Sequence, residues 1–189
     1  MILAQRQLGR PDERDKYYKD RQYLNTWASG TAEWLQDGYL DVTQRASYFQ
    51  IAFSTASAMV MRTLDAGSKY PFATRDANGD FLNGSNTYKL HLPPKPPAKL
   101  FWAVTAYNIT DGTMVETAQL LPSINSLGKV ATNSDGSIVV WFGPSKPAEA
   151  ADTNFVQTAT DETSLPLCAS TAPASSSSTR VGSRTMSSR

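Results

Sequence analysis

Turn-forming residues divide the middle of this chain into short segments, and this spacing limits what the chain can fold into. Gly, Asn, Asp and Pro recur between short apolar runs from Gly67 to Pro147. Each run is long enough for one strand and too short for a long helix. We therefore expect a mainly β fold, an antiparallel sandwich or a jelly roll, in preference to alternating strands and helices.

Four runs carry strand patterns. Residues 88–92 alternate between apolar and polar side chains, so one face should be buried and His91 should face solvent. Residues 100–107 and 137–142 carry apolar residues on both faces, which predicts strands covered on both sides. A further short strand is predicted at residues 70–75.

A helical pattern precedes these strands. Apolar residues recur at helical spacing from Thr43, a candidate N-cap, to Leu64, and Gly67 follows as a helix terminator. Residues 1–66 are therefore expected to contribute N-terminal helical segments.

The charge and the apolar runs limit the partners. The formal net charge is +1, which gives no electrostatic reason to expect nucleic acid as a partner. The longest uncharged stretch, residues 46–61, contains several polar residues and is shorter than the roughly 20 apolar residues of a membrane span. Residues 1–6 lack the features of a secretory signal, so we expect no signal peptide in this chain.

The single cysteine and the single histidine restrict the chemistry of any site. Cys168 alone cannot form an intrachain disulfide, and zinc or iron sites need several His or Cys ligands. A serine triad would have to use His91 as its base, and no G-x-S-x-G motif is present. We expect no metal and no cofactor, and the catalytic residues, if any, stay unknown.

Aspartates in predicted loops are the remaining candidates for acid–base chemistry. Asp76, Asp80, Asp111 and Asp135 could gather at one end of a sandwich. The turn preference of Asp explains all four without catalysis, and we favour that interpretation. The start of a calcium loop is also suggested at residues 76–80, but the spacing of the later ligands is wrong, so a hairpin turn is favoured.

Trp102, Tyr107 and Trp141 lie on the strands that should be covered on both sides. We interpret them as core residues rather than as a platform for a ligand.

Several short motifs resemble those of a known family. They are G-S-K-Y at 67–70, D-A-N-G at 76–79, Y-K-L-H-L-P-P at 88–94, F-W-A-V at 101–104, D-G-S at 135–137 and F-G-P at 142–144. Together they are similar to the domain of unknown function 1214, which usually closes larger proteins that begin with the domain of unknown function 1254. Residues 20–59 are similar to the connector between those domains. The resemblance implies a jelly-roll β-sandwich at residues 67–161, and it brings no catalytic residues.

The end of the chain departs from that family. Its members typically finish with an apolar strand ending R-L-Y-G-P and then F-F-D-K-x-W, whereas residues 162–189 are rich in Ser, Thr, Ala and Arg. This composition predicts a disordered tail. Codons for residues 162–189 can be chosen so that the neighbouring frame spells N-V-F-A-L-M-R-L-Y-G-P-S-E-Q-F-F-D-K-S-W-K-P. We therefore hypothesise a frameshift, whose missing strand would expose a sheet edge open to self-association.

These observations lead to three hypotheses for function. The first is a non-catalytic structural or binding domain of a larger two-domain protein, here truncated at both ends. The second is a fragment of a hydrolase-like enzyme whose site lies between the two domains. The third is a remnant without function. Localisation stays open, because full-length members of the family are often exported.

Overall fold

The computed structural model describes residues 16, 22–25, 33–46, 70–96, 98, 100–108, 113–160, 164–170 and 180–181. The described part of the chain is mainly β, with eleven strands, one short helical segment and one 3-10 turn. The strands are β1 Leu24–Asn25, β2 Leu35–Gln36, β3 Tyr39–Leu40, β4 Pro71–Phe72, β5 Tyr88–Leu92, β6 Trp102–Asn108, β7 Ser123–Asn125, β8 Ile138–Gly143, β9 Phe155–Gln157, β10 Ser164–Ser170 and β11 Arg180–Val181.

The strands form two large sheets and one small hairpin. The five-stranded sheet has the order β1-β4-β10-β6-β7, the four-stranded sheet has the order β11-β5-β8-β9, and β2 pairs with β3. Every pair is antiparallel except β8 with β9, which is parallel and differs from the antiparallel expectation. The reason is the connection through residues 144–154, which carries the chain back along β8, so that β9 begins opposite Trp141 and runs in the same direction as β8.

One hydrophobic cluster joins the two large sheets. Leu90 and Val140 belong to the four-stranded sheet, Val104 and Ala106 belong to the five-stranded sheet, and all four are fully buried. Burial of this many apolar side chains is the main stabilising contribution to the fold. The strands predicted at the positions of β5, β6 and β8 are thereby confirmed.

The side chains of β6 alternate more than the sequence suggests. Trp102, Val104 and Ala106 are buried, whereas Ala103 and Thr105 are half-buried. The prediction of a central strand is confirmed, because β6 lies between β10 and β7.

The N-terminal part differs from the helical expectation in the residues that the structure describes. Strands β1, β2 and β3 occupy positions where helical segments were expected. Residues 42–46 are helical, and the N-cap is Asp41 rather than Thr43. The Asp41 carboxylate accepts a hydrogen bond from the Gln44 N–H at 2.9 Å, which satisfies a free donor of the first turn. The rest of the predicted helix lies outside the described residues.

Strands β10 and β11 fall in the segment for which a disordered tail was expected, and the rest of that segment lies outside the described residues. A proline inside a strand is usually unfavourable because it has no N–H. Pro166 pairs with Ala106, whose N–H donates to the Pro122 carbonyl and whose carbonyl accepts from the Val115 N–H. Since Ala106 directs both groups away from β10, the pairing with β6 needs no N–H from Pro166.

Gly143 ends β8 at a tight approach to the segment before β5. A Cβ atom at position 143 would lie 2.9 Å from the Thr87 Oγ1 and 3.5 Å from the Thr87 Cα. We expect Gly143→Ala to lower the free energy of unfolding by about 1–2 kcal/mol, as overpacking does. In a Thr87→Ala background the same change should cost less than about 0.5 kcal/mol, because the closest atom is gone. Urea unfolding of the four chains measures this, and an equal cost in both backgrounds would contradict the explanation.

Candidate functional site

The turn at residues 76–80 is built around a buried carboxylate. Asp76 is 2 % exposed, and its Oδ1 accepts hydrogen bonds from the Asn78 N–H at 2.9 Å and the Asp80 N–H at 3.1 Å. Gly79 has a φ of 87°, which a glycine adopts without strain. The predicted hairpin turn is confirmed, and Asp76 acts as its internal hydrogen-bond acceptor.

The Arg75 side chain also contacts this turn. Its guanidinium donates a hydrogen bond to the Gly79 carbonyl at 2.7 Å and lies 3.7 Å from the centre of the Phe81 ring. Arg75 and Phe81 also form a bridge between the two arms of the hairpin. The cation–π contact and the hydrogen bond of the Arg75 guanidinium both stabilise the hairpin turn.

A second turn holds Asp135. Its Oδ1 accepts hydrogen bonds from the Ser137 hydroxyl at 2.6 Å and the Ser137 N–H at 2.9 Å. These hydrogen bonds, the hydroxyl first, lower the pKa of the Asp135 carboxyl, and the charge of His91 lowers it further. A carboxyl group with a lowered pKa is ionised at neutral pH, which makes it a poor general acid.

The structure does not gather the candidate aspartates into one described site. Asp76 and Asp80 share one turn, Asp135 lies in another, and Asp111 lies outside the described residues. Within the described ranges, no group of three or more His, Cys, Asp or Glu residues could hold a metal ion. In the first of these turns the Asp76 carboxylate accepts local hydrogen bonds, and in the second the Asp135 carboxylate does so.

His91 lies on the exposed side of β5, as predicted. It is paired with Val139 on β8 and with Arg180 on β11.

The candidate aromatic residues are placed differently from one another. Trp102 belongs to the core cluster, while Trp141 is buried outside that cluster, with the Lys89 ammonium 4.1 Å from the centre of its ring. Strand register puts Lys89 directly opposite Trp141, which favours this cation–π pair. Tyr107 is half-buried, and burial raises the pKa of its phenol, with a smaller effect from Tyr70.

Gln119 closes the outer side of strand β9, a feature that the sequence did not reveal. Its Nε2 donates to the Phe155 carbonyl at 3.1 Å, and its Oε1 accepts from the Gln157 N–H at 2.7 Å. A neighbouring parallel strand would bond to the same two backbone groups. Because β9 is the last strand of its sheet, the Gln119 side chain blocks pairing of another strand at this edge.

Asn154 holds the chain that follows β7 against β8. Its Oδ1 accepts from the Ala131 N–H at 2.9 Å, and its Nδ2 donates to the carbonyls of Ala131 at 2.8 Å and Val139 at 3.0 Å. The side chain is buried, its partners in these three hydrogen bonds are backbone groups, and the Thr153 hydroxyl also donates to its Oδ1 at 3.2 Å. Asn154 and Gln119 therefore act as structural clamps, and neither residue stands out in the pattern of the sequence.

No helix in the described part of the chain has the length and apolar character needed to cross a membrane.

Comparison with known families and solved structures shows which proteins this chain is similar to. The family described as "Protein of unknown function (DUF1214)" matches residues 67–169, just over half of the chain and including strands β4 to β9. The crystal structure of the VPA0106 protein from Vibrio parahaemolyticus is similar, with 16% sequence identity and a TM-score of 0.59. That similarity covers 83% of this chain and 40% of the other, so this chain spans about two fifths of its length.

A second similar structure is a putative uncharacterized protein from Burkholderia cenocepacia, with 15% identity and a TM-score of 0.45 over 83% of this chain and 46% of the other. The comparison with curated proteins found no match. At these identities the likeness to the Vibrio structure shows the fold alone.

Proposed function

Since the chain belongs to the DUF1214 family of proteins of unknown function, we propose that residues 67–161 act as a non-catalytic structural or binding domain of a larger two-domain protein. The length of the Vibrio protein supports this proposal, because the similar region makes up 40% of that chain. The larger protein would begin with a domain of the 1254 type. Residues 20–59 support this part of the proposal, because they are similar to the connector between the 1254 and 1214 domains.

We also propose that this domain is a β-sandwich of jelly-roll type. The support is the core cluster, to which both large sheets contribute fully buried side chains. A shared core between two sheets is typical of a sandwich.

The non-catalytic proposal depends on one observation, which is that the candidate acid and base side chains in the described part of the chain form local hydrogen bonds or face solvent. The Asp76 carboxylate accepts two backbone hydrogen bonds inside its own turn, and the Asp135 carboxylate accepts two from Ser137. His91 stands on an exposed strand face. The two aspartates stabilise turns and His91 faces solvent, whereas catalysis needs an acid and a base directed at one reacting group.

The test is a set of acid-to-amide changes in a full-length relative. Asn at the positions of Asp76, Asp80, Asp111 and Asp135 retains an oxygen acceptor for the turn hydrogen bonds, so the fold should survive. Purified parent and variants are assayed on chromogenic esters, phosphomonoesters and glycosides, with thermal unfolding as the control for folding. We expect the variants to match the parent in every assay.

The enzyme alternative predicts the opposite result. If one amide substitution removes turnover of any of these substrates by about a hundredfold or more while the melting temperature is unchanged, the domain carries a catalytic acid or base. The non-catalytic proposal is then wrong.

A further inference from the structure

Three leucines beside strand β7 are exposed to solvent. Leu120 is 101 % exposed, Leu121 is 52 % exposed and Leu127 is 79 % exposed. They lie within residues 117–128, a stretch without a single charged side chain. Exposed apolar side chains in an uncharged segment are typical of a protein–protein contact.

Hydrogen bonds on both sides hold these leucines outward. Gln119 is fixed to β9 by its side-chain amide, so the backbone immediately before Leu120 is held in place. After β7, the Asn125 Oδ1 accepts from the N–H groups of Leu127 at 3.0 Å and Gly128 at 3.1 Å. The apolar surface is therefore organised before any partner binds, which reduces the entropy lost on binding.

We propose that residues 116–129 form the contact through which two copies of this chain associate as a symmetric dimer. Leu120 and Leu121 precede β7, and Leu127 follows it. In an antiparallel two-fold arrangement, Leu127 of each copy meets Leu120 and Leu121 of the other. This matches the rule that a two-fold interface brings together different residues of one self-complementary surface.

The charges at the two ends of the stretch favour the same arrangement. The exposed Glu116 precedes it, and the exposed Lys129 follows it. The antiparallel pairing brings Glu116 of one copy towards Lys129 of the other, whereas a parallel pairing would place like charges together. Opposite charges at the rim select the orientation, and the uncharged centre allows two identical surfaces to meet without repulsion. The contact does not depend on whether the larger protein is an enzyme.

Sedimentation equilibrium of the 189-residue chain tests the contact. We expect a monomer–dimer equilibrium that depends on protein concentration. The double variant Leu120→Ser, Leu127→Ser should weaken dimerisation at least about tenfold. Tyr39→Ser is the matched control, because Tyr39 is 79 % exposed on strand β3 of the separate β2–β3 hairpin, and its loss should leave the equilibrium unchanged.

Charge exchange tests the orientation. Glu116→Lys alone and Lys129→Glu alone should each weaken the dimer about threefold at low salt, and the two changes together should restore it. Thermal unfolding measured at protein concentrations below the dimer dissociation constant should be the same for every variant and the parent, since all the changed side chains are exposed and dimerisation adds no stability there.

Two results would overturn the proposal. One is a chain that stays monomeric at every soluble concentration, as expected if the first domain of a larger protein covers these leucines instead. The other is association that neither the leucine changes nor the charge exchange alters, since the contact then lies elsewhere on the molecule.

Discussion

Replacement of Asn154 by alanine is expected to lower the free energy of unfolding by about 3 kcal/mol, because three hydrogen bonds of a buried side chain disappear, each contributing about 1 kcal/mol, while their backbone partners stay. The Ala131 N–H loses its acceptor, and the carbonyls of Ala131 and Val139 lose a donor. Each of these groups lies where the chain after β7 meets the four-stranded sheet, so the loss should loosen the connection between the two sheets.

Urea unfolding followed by tryptophan fluorescence measures this effect. Asn78→Ala is the matched control, because the Asn78 side chain is exposed and its removal should cost less than about 0.5 kcal/mol. Asn154→Asp keeps the oxygen that faces Ala131 but loses the Nδ2 donor, so it should be at least as costly as Asn154→Ala. Equal stability of the Asn154→Ala and Asn78→Ala chains would show that the clamp contributes nothing to stability.

The predictable elements of this fold are those whose pattern is local. Strand β5 could be predicted because its five residues alternate fully between buried and open positions. The turn around Asp76 could be predicted because its carboxylate bonds to residues two and four positions ahead. In both cases the sequence interval contains the whole interaction.

Strands β7 and β9 could not be predicted because they are too short to carry a pattern. Each has three residues, with a single buried side chain, Ile124 in β7 and Val156 in β9. Three residues with one buried side chain also occur in many loops, so a segment of this length is too short to show a periodicity. These strands form because the sheets beside them supply hydrogen-bonding partners.

The structural clamps Gln119 and Asn154 could not be predicted for a related reason. Gln119 bonds to backbone groups 36 and 38 positions away, and Asn154 bonds to groups 23 and 15 positions away. An amide side chain gives no sign in the sequence of which distant backbone it will meet. A lone Asn or Gln in a stretch of weak periodicity therefore passes as a surface residue.

The largest gain in stability is expected from replacing residues 163–184 with the sequence of the neighbouring frame, N-V-F-A-L-M-R-L-Y-G-P-S-E-Q-F-F-D-K-S-W-K-P. The register of β10 decides how that sequence would lie. Positions 164, 166, 168 and 170 pair with Asn108, Ala106, Val104 and Trp102, which are the buried residues of β6. Directly paired positions share one face of a sheet, so these four positions belong to the core face.

The frameshift hypothesis fits this register. Restoring one nucleotide in codon 162 places the first Asn of the alternative sequence at position 163. The core-face changes are then Ser164→Val, Pro166→Ala, Cys168→Met and Ser170→Leu, and the Arg of that sequence takes position 169 on the other face. The changes also remove the proline from a strand that lies between β4 and β6.

We expect the replaced chain to be more stable by about 2 kcal/mol, with a melting temperature about 4–8 °C higher. The control is the same sequence started one position earlier, which brings Arg to position 168, opposite the fully buried Val104. A one-residue slip exchanges the two faces of a strand, so the control should be less stable than the parent chain. If both replacements melt alike, the register of β10 does not matter to the fold, and if the coding nucleotides do not spell the alternative sequence, the frameshift hypothesis is wrong.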